Sequence, residues 1–110
     1  MANDNPRQTK RLEFHRKLES IPGVRKAYFQ RPPNNGMIYP CILYKAEPSI
    51  RYYANNKPYM MGTIYTVYYI HTDPDDEVVD YIVQHFQYAS HDQQYIADGL
   101  YHDVYNIFYK

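Results

Sequence analysis

Nine consecutive residues, TIYTVYYIH from Thr63 to His71, set the hardest condition on the fold. They are β-branched or aromatic almost throughout, the composition of a strand. A sheet with one wet face alternates apolar with polar residues. Here the even positions carry Ile64, Thr66, Tyr68 and Ile70, and the odd positions carry Tyr65, Val67, Tyr69 and His71. Both faces are built to be covered. With 110 residues the chain reads as one domain, 1–110, so the second cover has to come from elsewhere.

A helix start follows the strand. Asp73 is placed to cap, Pro74 suits the first helical position, and Asp75, Asp76 and Glu77 put negative charge at the positive end of the dipole. Val78, Val79, Ile82, Val83 and Phe86 then make one apolar face, with Asp80, Gln84 and Gln87 opposite. These acids follow the helix-start pattern rather than the spaced aspartates of a calcium loop, so they read as capping and not as a cation site.

Upstream, Asn5-Pro6 opens a helix over about 7–20, with Leu12, Phe14, Leu18 and Ile21 as its apolar stripe and Pro22-Gly23 as its stop. VRKAYFQ (24–30) reads as a strand, RPPNNGM (31–37) as a loop, and IYPCILYKAE (38–47) as a second strand. Residues 49–62 give an extended segment with a turn at Asn55-Asn56-Lys57-Pro58, and residues 59–71 the long strand. Asp98-Gly99 is a turn dipeptide that pairs a short strand near 93–97 with a last one at about 100–109. The expected fold is α+β: a mainly antiparallel four- to five-stranded sheet, two helices packed on one face, in the order α-β-β-β-α-β-β.

Twelve Lys plus Arg balance twelve Asp plus Glu, which argues against a dedicated nucleic-acid binder and against a cationic membrane-surface helix. No apolar run has the length of a transmembrane helix, and the first residues lack the apolar centre of a signal peptide, so an intracellular origin is expected. Cys41, the one cysteine, reads as a small buried hydrophobe. Fifteen tyrosines without a tryptophan lean towards a large interaction surface, although tyrosine also simply fills strands.

The pairs His91-Asp92 and His102-Asp103 suggest a metal phosphohydrolase, but such enzymes gather their ligands from several helices. Neighbours on a strand also point to opposite faces. No nucleophile motif, Walker loop or dinucleotide fingerprint appears. Arg51-Tyr52-Tyr53 and Lys26-Ala27-Tyr28-Phe29 set base beside aromatic, as single-strand binders do, yet the neutral balance weighs against that use. The chain is read as non-enzymatic, with no cofactor and no metal.

Three stretches, MIYPCILYKAEPSIRYYANNKPY, YTVYYIHTDPDDEVVDYI and YIADGLYHDVYNIFY, resemble tail terminator or tail-completion proteins of long-tailed bacteriophages. The likeness spans roughly residues 7–109, and its motifs are structural rather than catalytic. Asn55-Asn56 stands where the family pattern has Asp-Asn, and Gly99 and Tyr101 where its closing strand has Asn; all still suit turns or strands. The resemblance implies a homo-oligomer, a ring of typically six subunits on the head-proximal end of the tail tube. There it ends tube polymerisation and offers a surface to a head-completion or connector protein. DNA would pass through the ring without sequence-specific contacts, and no membrane is involved. The expected location is the virion tail or neck, and the host cytoplasm during assembly.

On that reading the second face of the sheet meets neighbouring subunits. Met37, Tyr52, Tyr53, Asn55, Asn56, Tyr59, Tyr65 and Tyr69 are the candidate interface residues. Which parity set of 63–71 faces outward stays open, because both are apolar. A head-completion or connector-associated neck protein, a non-virion protein-binding module and a small enzyme using the His-Asp pairs are the competing readings.

Overall fold

Among the described residues, two helices and five strands follow one another as α1 (Pro6–Glu19), β1 (Lys26–Phe29), β2 (Cys41–Ala46), β3 (Thr63–His71), α2 (Val78–His85), β4 (Ala89–Ala97) and β5 (Leu100–Tyr109). This computed structural model describes residues 6–34, 36–47 and 62–110. The class and element order are those expected from the sequence. The strands form one sheet in the order β1-β2-β3-β5-β4, with β1 and β2 parallel and every other pair antiparallel.

Helix α1 carries Arg16 and Lys17 in its last turn, where cations meet the negative end of the dipole. Its apolar stripe turns inward: Phe14 and Leu18 are buried, as is Ile21 just beyond, while Leu12 is half-buried. Phe14 stacks on Tyr65 with ring centroids 4.2 Å apart, and packs against Tyr44, Phe86 and Tyr109 as well. Ile82 and Phe86 of the α2 region join the same cluster, so both helices cover one face of the sheet.

Strand register decides what lies beneath them. Ile42 pairs with Tyr69, Tyr44 with Val67, Tyr65 with Ile107 and Val67 with Tyr105, and all of these side chains are buried. The odd set of β3 is therefore the covered one, with Tyr65, Val67, Tyr69 and His71 each at most 2% exposed.

Three expectations need correction. Asp73 does not cap α2: the cap position is Glu77, in helical conformation and without a side-chain cap bond. The Asp73 carboxylate instead accepts from the Asp75 amide (2.9 Å) in a local turn, and Asp76 accepts from the Val78 amide (2.9 Å). The two turns between Pro74 and Glu77 delay the helix, so the acid nearest its first amides is Asp76. Strand β4 begins at Ala89, four residues before the expected start near 93, because pairing with β5 recruits a polar stretch that has no hydrophobic alternation of its own. The first two strands are shorter than expected, and the second begins only after the cis Tyr39-Pro40 bond. The expected extended segment and turn between 49 and 61 lie outside the described residues.

The hairpin at Asp98-Gly99 forms as expected, with φ of 54° and 76°, both positive as a two-residue hairpin turn of this kind demands. Gly62 sits so close to the end of β5 that a Cβ there would lie 2.6 Å from the Tyr109 carbonyl oxygen. Among the described residues, no helix is long and apolar enough to cross a membrane.

Candidate functional site

The even residues of β3 lie on the face that, among the described residues, carries no helix. A polar row fixes this orientation: Lys45 pairs with Thr66, and Thr66 pairs with Asn106. Thr66 donates its hydroxyl to Glu47. On either side of the row the face is apolar. Leu43, Tyr68 and Val104 run across three strands in register, as do Ile64 and Phe108 across two. Tyr95 of β4 stacks on His102 of β5, with centroids 4.8 Å apart and planes 12° apart.

A shallow hollow of about 350 Å³ opens here, lined chiefly by Met37, Leu43, Tyr68, Ile70, Tyr95 and His102. The open face is not as bare as one unpacked parity set would be. Tyr68, Leu43, Ile64 and Phe108 are half-buried, and Ile70 and Val104 are buried, because large side chains on adjacent strands shield one another. At its margins Ile38 (52%) and Tyr95 (39%) are exposed.

Of the candidate interface residues, Met37 borders this hollow. Tyr65 and Tyr69 do not: both belong to the core under the helices, where no neighbour can reach them. Their even-numbered counterpart Tyr68 takes the place assigned to them. Tyr52, Tyr53, Asn55, Asn56 and Tyr59 lie outside the described residues. Leu43, Tyr68, Tyr95 and His102 were missed by sequence reasoning, yet a signal existed. Lys45 is the one charged side chain in CILYKA, and its parity, carried across by Thr66, marks the uncovered face.

A second group of side chains lies on the covered face. Asp103, fully buried, accepts from His71 Nε2 at 2.6 Å, His91 Nε2 at 2.7 Å and the Gln94 amide at 3.0 and 3.2 Å. His91 and Gln94 differ by three positions and would face opposite ways on a regular strand. A bulge between His91 and Gln93 inserts Asp92 and brings both to the same carboxylate. His71 is stacked between Tyr69 and Tyr101, and its Nδ1 has no hydrogen-bond partner, lying 3.7 Å from Asp76 Oδ2. That Asp76 oxygen accepts from the Tyr69 hydroxyl at 2.6 Å. Burial and the Asp76 carboxylate together push the Tyr69 phenol far above its ordinary range, and burial does the same to Tyr105, whose hydroxyl donates to the Val79 carbonyl.

The histidine–aspartate contacts are thus not the ones adjacent in sequence. His71 and His91 meet Asp103, whereas His102 turns to the open face and bonds the Leu100 carbonyl at 3.0 Å. The cluster ties β3, β4, β5 and the approach to α2 into one polar knot. Among the described residues, no group of three His, Cys, Asp or Glu side chains is placed to hold a metal ion. Cys41 is buried, and desolvation lifts its thiol to about 11, which keeps it a protonated, unreactive filler.

No family model, no curated protein and no solved structure matches the chain.

Proposed function

We propose that this chain is a structural virion protein of the tail-terminator kind, whose copies assemble through the uncovered face of the sheet into a ring at the head-proximal end of a phage tail tube. The ring ends tube growth and presents a surface to the head-completion or connector protein. No catalytic step is assigned to it.

The observation that carries this reading is the chemistry of the uncovered face. Aromatic and aliphatic side chains of four strands stand together there, with no helix among the described residues over them and with a narrow polar row between. A patch of that kind marks a protein contact, and its tyrosines combine apolar area with a polar tip, as interfaces favour. The three stretches that resemble the terminator family support the same reading from the sequence.

Light scattering coupled to size exclusion tests it. The wild-type protein is expected to elute as a discrete oligomer. Tyr68→Glu, placing charge in the middle of the open face, is expected to give a monomer whose unfolding midpoint stays close to wild type. A wild-type protein that remains monomeric at high concentration, or a Tyr68→Glu oligomer of unchanged mass, overturns the assignment.

A further inference from the structure

Successive residues of a strand point to opposite faces, and near the end of β4 two of them have very different surroundings. Tyr95 pairs with His102, and both line the hollow on the open face. Ile96 pairs with Tyr101, which pairs in turn with His71 and stacks on its ring, so Ile96 belongs to the covered face. Yet Ile96 is 64% exposed, so the cover given to that face ends before it. Two residues on, Asp98 and Gly99 turn the chain back into β5, and both are exposed. The hairpin tip therefore presents a bare aliphatic side chain close to a carboxylate.

The hollow on the other face is its complement in shape and in charge. Leu43, Tyr68 and Ile70 give it an apolar floor, and exposed Gln30 and Lys45 stand on its rim. Its volume of about 350 Å³ admits an aliphatic side chain. An apolar floor with a lysine at the rim suits an aliphatic residue that has an acid beside it, and Ile96 with Asp98 is such a pair.

We infer that the occupant of the hollow is the hairpin tip of a second copy of this chain, with its Ile96 seated on Leu43 and Tyr68 and its Asp98 beside Lys45. Knob and hollow look out from opposite faces of the same strand pair. Each copy therefore gives its tip to one neighbour and receives the tip of another. A contact between two different patches propagates head to tail and closes a ring if the rotation allows. This rests on the ring reading above and specifies its contact: the open face meets the back of a hairpin rather than a second open face.

Mixing two broken variants decides it, with masses read by analytical ultracentrifugation. Ile96→Glu spoils the knob and keeps the hollow; Tyr68→Glu spoils the hollow and keeps the knob. Circular dichroism and the thermal midpoint report whether each variant folds. Each is expected to be a folded monomer alone. An equimolar mixture is expected to form a species of twice the protomer mass and no larger, because one intact knob then meets one intact hollow and the chain of contacts stops there. Asp98→Asn, which keeps a residue suited to the positive φ of the turn, is expected to raise the apparent Kd of wild-type self-association about two- to fivefold, the contribution of an exposed ion pair. An Ile96→Glu oligomer of unchanged mass, beside a monomeric Tyr68→Glu, overturns the hairpin contact and leaves the ring reading. Folded monomers that do not pair on mixing also overturn it. An Asp98→Asn Kd equal to that of wild type removes Asp98 from the contact. A wild-type monomer under all conditions removes both readings.

Discussion

Tyr68 and Tyr69 are neighbours in the chain and identical in chemistry, yet they serve opposite sides of one strand. Tyr69 is fully buried under the helices and gives its hydroxyl to Asp76. Tyr68 is half-buried on the bare face, across from Leu43 and Val104. Hydrophobicity does not separate them. What separates them is the company: the apolar stripes of α1 and α2 fill one side, whereas the row from Lys45 through Thr66 to Asn106 runs down the other. A face is committed to the core by what the other elements can bring to it, and one strand read alone cannot disclose that.

The contrast is most easily broken from the covered side. Phe14→Ala removes the ring that stacks on Tyr65 and touches Tyr44, Phe86 and Tyr109, and should cost about 3–5 kcal/mol in urea unfolding. A loss below about 1 kcal/mol would mean that α1 is not a structural lid. Asp103→Ala comes next. It strips the common acceptor from His71, His91 and Gln94 and should cost about 3 kcal/mol, read as a lower denaturation midpoint at constant m-value. His102→Ala, on the bare face, is the control and should cost far less.

An alkaline titration probes the same contrast without mutation. Burial raises the Tyr44 phenol from 10.0 to about 12. The unfolded chain therefore releases this proton first, and the stability it contributes, complete below pH 10, is lost as the pH rises towards 12. Thermal midpoints measured from pH 9 to 12 should fall across that window, and Tyr44→Phe should flatten the fall. The smallest effect distinguishes two acids three residues apart. Asp76→Ala removes the acceptor of both the Val78 amide and the Tyr69 hydroxyl and should cost about 1–2 kcal/mol, whereas Asp73→Ala, which loses only a turn bond, should cost a few tenths. Equal losses would mean that the two bonds to Asp76 contribute no more than the one turn bond to Asp73.

Much of this was legible in the sequence. The apolar stripes at 12–21 and 78–86, the Asp98-Gly99 turn and the order of elements are local signals, carried by spacing and turn chemistry. The outward parity of β3 was not, because it depends on register with β2 and β5, which no single segment encodes. Nor was the Asp103 cluster, whose partners stand 32 and 12 residues away in the chain and meet only because a bulge resets the parity of β4. The helix start was misplaced because four acids crowd into five residues, and only the backbone sets the cap position at Glu77 and leaves Asp76 to accept from the Val78 amide.

Strand order carries a consequence for how the molecule is made. β5 follows every other element in the chain, yet it lies inside the sheet, between β3 and β4. A nascent chain leaving the ribosome thus holds β3 with one ladder unfilled, and β4 with no strand partner among the described residues, until residues 100–109 emerge. Earlier closure is available only to β1, β2 and β3, so completion of the sheet waits for the late segment, and pairings across such separations are slow to form. In the interval the exposed strand is a hazard for wrong pairing between chains crowded on one message. A cell that makes many copies of this chain at once would gain from chaperone cover during that delay.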